Sequence, residues 1–377
     1  MTRLLEGLTV LDFTRVYCGP YATLLLADLG ARIIKVENPA GGDDSRTFGP
    51  LVGRSSGYFE MLNRGKESIA LDVTQPENQA ILRHLAAHVD VLIENARPGV
   101  MARYGLDYET LRVECPHLVY VSISGFGQTG PDASRPCYDI VAQACSGLMS
   151  LTGLPDQPLK TGPAIADAIA GLTAAVGLLA ALWRQTRTGQ GAHIDVAMVE
   201  ALFACLENAL VTYSVTGQVP ARRGNIDSVV APFDSFEATD GLIVIGVGND
   251  RLWNRLARLV GNGLDDEARF ATNAERIAHY DELRPRLATW CAYQPATVVL
   301  EALQAEGIPS GLVRSIDDLA YDPHLEVRGM LARLKLDDDI SITVPGSPIH
   351  VDGTHPPIKR APRLGEHTED VLKEFGK

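Results

Sequence analysis

Apolar and polar positions alternate along this chain in two rhythms. Leu8–Phe13 (LTVLDF), Ala31–Glu37 (ARIIKVE), Ser68–Val73, Val89–Glu94 (VDVLIE) and Leu118–Ser124 (LVYVSIS) are short, nearly continuous apolar runs. Such runs predict strands buried on both faces of a parallel sheet. Between them, Tyr21–Leu29 and Asn78–His88 carry helical spacing. Strand, helix, strand from the first residues onward predicts a doubly wound α/β domain. In such a sheet ligands bind beyond the carboxyl ends of the strands, which points to Arg15–Pro20 and Asn38–Arg46. Tyr138–Leu151 and Met198–Val215 read as further helices, and Ala192–Ala197 as a strand.

The pattern then changes. Thr216–Asp227 is rich in Gly, Pro and Arg and reads as a linker. Pro232–Glu237 and Leu242–Gly246 flank Asp240-Gly241, a hairpin signal. Helical spacing follows at Asn249–Val260, Ile277–Cys291 and Thr297–Glu306, then strands at Gly307–Val313, Ile340–Val344 and Pro348–Val351, and a last helix at Glu366–Phe375. The expected organisation is a large domain over 1–215, a linker over 216–230, a smaller α+β domain over 231–313, and a connector over 314–377 that returns to the large domain.

One stretch breaks both rhythms. Between Gly162 and Arg184 the only ionisable side chain is Asp167, set among Ala, Gly, Leu, Ile and Val. Sixteen residues separate Asp167 from Arg184, short of the ~20 that span a bilayer. A buried core helix with a carboxylate near its start is expected, its small residues letting other backbones approach. Burying a charge is costly unless it is partnered or has a task. Two readings stay open on this segment alone: a helix-start Asp bonding a nearby backbone N–H, or a reactive carboxylate.

Charge and cysteine content narrow the classes. The chain has 377 residues, 34 Lys plus Arg against 47 Asp plus Glu, and a net charge of −13. That excludes nucleic acid and anionic membrane as general partners, while leaving room for a local basic pocket. Six scattered cysteines show neither C-x-x-C nor zinc spacing and read as reduced cytoplasmic thiols; no metal site is expected. The N-terminus runs straight into a strand without a signal or transit pattern. Gly125-Phe126-Gly127-Gln128-Thr129-Gly130 fits the dinucleotide fingerprint, but Pro131–Pro136 follows as loop, so no helix N-terminus meets a pyrophosphate and a loop role is expected.

Taken together, VLDFTRVYCGPYATLLLADLGARIIKVENPAGGDDSR, LNRGKESIALDV, VLIENARPGVMARYGL, ISGFGQTGP, GPAIADAIAGLTAAVGLLAAL, DPHLEVRGML and PRLGEHTEDVL resemble the class III CoA-transferases from Leu8 to Gly376. GDDSRTFGP, ESIALDV and APFDSFEATDG resemble the branch that moves CoA from succinyl-CoA or acetyl-CoA to glutarate or oxalate. The resemblance implies a Rossmann-like large domain completed by the C-terminus, an interlocked homodimer, acyl-CoA and a small carboxylic acid as substrates, and no permanently bound cofactor. It implies that Asp167, in IADAIAG, is the nucleophile and forms an aspartyl-CoA thioester. By position it implies CoA contacts at Tyr17, Cys18, Asn38, Leu71, Asp72, Asn95, Ala96, Arg97 and Arg103. Asn38 stands where the formyl-CoA transferase carries an arginine. Tyr138 matches a tyrosine that contacts small acids, and Gly246 and Gly248 match part of a glycine-rich lid. The related α-methylacyl-CoA racemases, the alternative reading, carry a histidine where this chain has Tyr138, and a racemase needs an acid/base pair about the α-carbon. His193 and His367 are expected to be structural.

Overall fold

A computed structural model describes residues 3–337 and 340–377. The chain divides into two units. The first takes in the chain up to Ser150, Lys160–Pro220 and Pro323–Lys377; the second takes in Leu151–Leu159 and Ala221–Asp322.

In the first unit, β1 (Thr9–Asp12), α1 (Cys18–Asp28), β2 (Arg32–Glu37), β3 (Glu67–Ala70), α2 (Pro76–Ala86), β4 (Val91–Glu94), α3 (Tyr108–Glu114), β5 (Val119–Ser124), α4 (Asp139–Cys145), α5 (Ile165–Thr188) and β6 (Ala192–Ala197) succeed one another. The six strands are all parallel and lie in the order β3-β2-β1-β4-β5-β6. The order reverses between β1 and β4, and a crevice opens where the loops leaving two such strands diverge. Successive strand residues feed opposite layers. Val10, Ile33, Val91 and Ile93 pack with α1 and α5, whereas Leu11, Ile34 and Leu92 pack under α2 and α3. Double burial explains why these strands read as apolar runs rather than as alternation.

The α5 helix lies on this sheet, against α1, α4, β5 and β6. Gly171 makes the closest approach: a Cβ there would sit 2.6 Å from the carbonyl oxygen of Cys18. By length and composition α5 could cross a bilayer. Its inner stripe of Ala166, Ala170, Ala174 and Leu178 is instead core. The expected buried core helix is buried on one face only: Leu172, Val176 and Trp183 are 46, 68 and 67% exposed on the outer face.

Other boundaries also shift. The long helix expected over Met198–Val215 is two helices, α6 (Met198–Phe203) and α7 (Ala209–Thr216), because Glu207 between them takes a left-handed φ of 49° that no helix continues through. The helix expected over Tyr138–Leu151 stops at Cys145, and Gly147, at φ 96°, turns the chain before a short Leu148–Leu151 turn. Leu151–Leu159 groups with the second unit, where Gly224 N–H donates to Gly153 O at 2.9 Å.

The second unit holds the hairpin β7 (Phe233–Glu237) and β8 (Leu242–Gly246), extended antiparallel by β9 (Ser310–Leu312). Helices Asp250–Val260, Tyr280–Ala292 and Ala296–Ala305 cover it around Trp253, Phe236 and Phe270. Ile277–Cys291 is broken at His279, so Asn273–Ala278 and Tyr280–Ala292 are separate helices. The last part of the chain rejoins the first unit. Leu331–Asp337, a strand not among those expected, pairs with Ile340–Pro345, and the strand expected over Pro348–Val351 is reduced to an isolated bridge from Val351 to Thr354. Helix Thr368–Glu374 closes the β3 edge: His367 N–H bonds Ser68 O at 2.9 Å, and Thr368 Oγ1 accepts Ala70 N–H at 3.0 Å.

Candidate active site

The crevice lies at the sheet's reversal point, within the first unit. A cavity of about 440 Å³ is walled by Arg15–Cys18 after β1, Asn95–Arg97 after β4, and Cys137–Tyr138 before α4, with Asp167 on its lining. Of the expected residues, Tyr17, Cys18, Asn95, Ala96, Arg97, Tyr138 and Asp167 therefore converge.

Asp167 sits in the first turn of α5, half-buried. The bland expectation for it does not hold. The helix-start N–H groups are taken by another carboxylate: Asp139 Oδ1 accepts Ala166 N–H at 2.8 Å and Asp167 N–H at 3.3 Å. Asp139 in turn accepts from Gln143 Nε2 at 2.6 Å, and Gln143 Oε1 accepts Thr161 N–H at 3.0 Å. The α5 cap thus comes from the next layer rather than from its own N-cap, Ala164, and Asp167 is left with a carboxylate to spend in the cavity. Burial, and then the charge of Asp139, push Asp167 up to about 7, while a hydrogen bond from Cys18 holds it down in part. Burial and the Asp167 charge push the Cys18 thiol up to about 12, so it remains a neutral donor beside the carboxylate. A thiol held neutral in this way is a poor nucleophile.

Tyr17, stacked on Tyr21 at 5.7 Å, and Tyr58, 6.2 Å from Tyr17, both feel the Asp167 charge, and burial raises both phenols. Two neutral hydroxyls therefore stand near one half-buried carboxylate.

Asn95 lines the cavity and also ties two turns together. Its Oδ1 accepts Arg15 N–H at 2.9 Å, and its Nδ2 donates to Arg15 O at 2.9 Å and to Cys18 Sγ at 3.4 Å. It stitches the β1 turn to the β4 turn. Glu94, buried and pushed up to about 7 by that burial, accepts Ala96 N–H at 2.7 Å and folds the same turn. Arg97 is exposed and lines the cavity, and its guanidinium has no hydrogen-bond or ion-pair partner among the described residues.

The other expected residues do not line this cavity. Arg103 is exposed at the end of a short 3-10 turn, Met101–Tyr104. Asn38 is exposed after β2, its Oδ1 accepting Ala40 N–H at 2.8 Å. Leu71 is buried, its N–H bonded to Glu37 O at 2.9 Å, and the Asp72 carboxylate folds onto Thr74. Asn38, Leu71 and Asp72 follow the carboxyl ends of β2 and β3, and Arg103 follows β4. Gly246 ends β8 against the Phe233 ring, and a Cβ on Gly248 would meet open space; both belong to the second unit. His193 bonds Ser122 Oγ at 3.0 Å and stacks on Tyr108, and His367 Nδ1 accepts Ser68 N–H at 3.2 Å, so both are structural. The G-x-G-x-x-G segment opens no helix; the next one starts at Asp139.

Arg15, Tyr58 and Asp139 were not singled out as site residues. Arg15 lies within the strand-end stretch that the sequence did flag. The capping role of Asp139 spans 28 residues and has no local signal.

The described geometry can be set beside known proteins. The profile of CoA-transferase family III matches residues 5–368. The acetyl-CoA:oxalate CoA-transferase of Acetobacter aceti is 42% identical over 98% of this chain and 95% of its own length. The succinate–glutarate CoA-transferase of Agrobacterium fabrum is 40% identical over 98% of this chain and 95% of its own. The crystal structure of a CAIB/BAIF family protein from Brucella suis superposes with a TM-score of 0.85 at 37% identity, covering 100% of both chains. With the Asp167 carboxylate brought to the reversal point of a parallel sheet and a family profile spanning nearly every residue, this chain belongs to CoA-transferase family III and is a CoA-transferase.

Proposed function

We propose that the protein moves CoA from an acyl-CoA donor to a small dicarboxylic acid by covalent catalysis at Asp167. The observation that carries this reading is a half-buried, aspartate-neighboured carboxylate with a neutral thiol donor beside it, in the crevice where the family profile runs unbroken.

The chemistry follows from the groups present. An Asp167 oxygen attacks the donor thioester carbonyl; the C–S bond breaks, leaving a mixed anhydride and CoA thiolate. The thiolate attacks the aspartyl carbonyl and expels the donor as its carboxylate, leaving an aspartyl-CoA thioester. The acceptor carboxylate attacks that thioester, again releasing thiolate, and the thiolate takes the acceptor's acyl group and frees Asp167. Each step exchanges one acyl bond for another, so no net proton or electron is needed. A carboxylate pushed above its usual range is a better nucleophile than a solvated one, and apolar neighbours limit hydrolysis of the anhydride. In this reading Tyr17, on the cavity lining, with Tyr58 beside it, donates to developing oxyanions, and Cys18 steadies the carboxylate between steps.

The donors and acceptors named for the relatives, acetyl-CoA with oxalate and succinate with glutarate, support a dicarboxylate class here. The racemase alternative is disfavoured because no histidine among the described residues lines the cavity and Tyr138 occupies its rim. A panel of acyl-CoA donors against dicarboxylate acceptors, run in deuterated water, tests the reading. CoA appearing on a new acid supports it. Deuterium entering the α-carbon with no movement of CoA overturns it.

Arg97 and Arg103 carry guanidinium groups with no ion-pair partner among the described residues, on an acidic chain, and suit the phosphates of CoA. We expect Arg103→Ala to raise KM for acyl-CoA several-fold while leaving KM for the acceptor acid nearly unchanged. Equal changes in both would remove Arg103 from CoA anchoring.

We also propose a homodimer. Its support is the apolar outer face of α5 together with Leu210, Val211 and Val215 of α7, which are 55, 59 and 78% exposed in the single chain. If two chains interlock, dissociation and unfolding coincide. Sedimentation under increasing denaturant should show two chains per particle until the fold is lost; a folded single chain on dilution would rule out interlocking.

A further inference from the structure

The turn that delivers Tyr17 and Cys18 to the cavity contains a residue in the wrong backbone region for its type. Val16 has φ 69°, in left-handed space. A β-branched side chain there is a genuine outlier, and such strain persists only when surrounding groups over-determine it. Two groups do so here. Asp43 accepts the Val16 N–H at 3.1 and 3.3 Å through its two oxygens. Lys35 Nζ donates to Thr14 O at 2.6 Å and pairs with Asp43 Oδ2 at 2.9 Å. Both charged side chains are almost wholly buried, Lys35 at 0% and Asp43 at 1% exposure.

This pair is a costly way to gain stability. Two buried charges must first lose their water, and their attraction roughly offsets that loss. What the pair does accomplish is positional. Every polar group in it is used on backbone: Lys35 on Thr14, Asp43 on Val16 and on Ser45 N–H at 2.9 Å, with Asp43 N–H itself held by Glu37 Oε2 at 3.0 Å. From the other side Asn95 grips Arg15 at both its N–H and its carbonyl. The turn is thus clamped at three consecutive residues, Thr14, Arg15 and Val16, one of them strained.

We propose that the Lys35–Asp43 pair is a positioning latch. It holds Val16 in the left-handed conformation, which keeps Tyr17 and Cys18 against Asp167 and shapes the CoA-facing wall of the cavity. Without it, Val16 relaxes to an extended or right-handed backbone and the α1 entry swings. The activity readout rests on the transferase reading above; the ligand-binding readout does not rest on Asp167 chemistry.

The test compares Asp43→Asn with the double variant Val16→Gly, Asp43→Asn in the full-length protein. Affinity for coenzyme A is measured by calorimetry, transfer by kcat/KM, and stability by thermal unfolding. Asparagine loses the charge that holds Lys35, so both variants unfold at lower temperature than the parent. Asp43→Asn should lose roughly tenfold or more in kcat/KM and bind CoA more weakly. Glycine takes left-handed φ without strain, so the double variant should recover most of both while remaining as thermally weakened as the single variant. Recovery of function without recovery of stability is what a merely structural role for Asp43 does not produce. The latch is overturned if Asp43→Asn keeps full affinity and rate, or if the double variant is as impaired as the single. It is equally overturned if neither variant folds, which would make Asp43 a folding residue only. Asp167→Ala in the same assay separates the two ideas: residual transfer there sinks the nucleophile, whatever the CoA affinities say of the latch.

Discussion

Asp167→Ala should abolish CoA transfer, by at least about 10⁴-fold, without unfolding the protein. The side chain caps nothing: the α5 start is held by Asp139, which remains. Asp167→Asn should be as inactive, since an amide does not attack a thioester, and it should be more stable than the parent. The sign follows from the raised value of about 7. An aspartate whose folded value lies above its unfolded one favours the fold fully below the unfolded value, near 4, and that contribution is lost as pH rises through about 7. At pH 8 the charged carboxylate is therefore a net cost, and its removal should return roughly 1–2 kcal/mol after allowing for the solvent that reaches it. Thermal unfolding at pH 8 and at pH 4 checks this; a stability gain that does not shrink at pH 4 would contradict it. The same value predicts that kcat/KM of the parent falls on the acid side of about pH 7 as the nucleophile protonates. Asp139→Asn keeps an acceptor for the Ala166 N–H but removes the neighbouring charge, so that limb should move to lower pH. Because burial is the larger cause, it should stay above the usual carboxylate range. Incubation with acyl-CoA alone, then hydroxylamine, should place the label on Asp167. A label on Cys18 or Cys145 would reject the nucleophile.

Gly171→Val is expected to have the next largest effect, on both stability and rate. A Cβ at Gly171 would lie 2.6 Å from Cys18 O and 3.2 Å from the Tyr21 ring. The first contact is backbone and cannot swing aside, so α5 and α1 must part. Overpacking of this kind costs roughly 1–3 kcal/mol. The displacement falls one helical turn from Asp167 and directly on the residue that donates to it. A shift near 1 Å at reacting groups costs about 10²-fold in rate. Gly162→Ala serves as the control, because its added methyl meets open space. If Gly171→Val keeps parental kcat, the Asp167–Cys18 geometry is not what sets the rate.

Much of the frame was legible before any coordinates. The apolar runs at Leu8–Phe13, Ala31–Glu37, Val89–Glu94 and Leu118–Ser124 are strands within a residue or two, since a doubly covered parallel strand leaves no polar face to blur it. The Asp-Gly hairpin formed as read. Helices were less faithful where a single backbone dihedral intervened. Nothing in the spacing of Met198–Val215 signals that Glu207 adopts positive φ. Leu331–Asp337 gives a weak strand signal although Leu334 and Leu336 alternate with Arg333 and Lys335, because the two-stranded ribbon is narrow and half-exposed.

The same division holds at the site. That Asp167 is the one ionisable group between Gly162 and Arg184 is a property of the sequence alone, as are the strand-end turns, the family resemblance and the acidic balance. These depend on composition and on periods of two to four residues, which neighbours along the chain determine. What Asp167 can do was decided by tertiary structure. Burial lifts Asp167, and Asp139, which takes the helix-start N–H groups, adds its charge to that lift; Asn95 reaches 80 residues back to Arg15; Lys35 and Asp43 pin a valine in a backbone it would not choose; and one face of α5 stays exposed in the single chain. Each depends on desolvation and on a partner far away in sequence, and both exist only once the sheet has brought the ends of β1, β2 and β4 together.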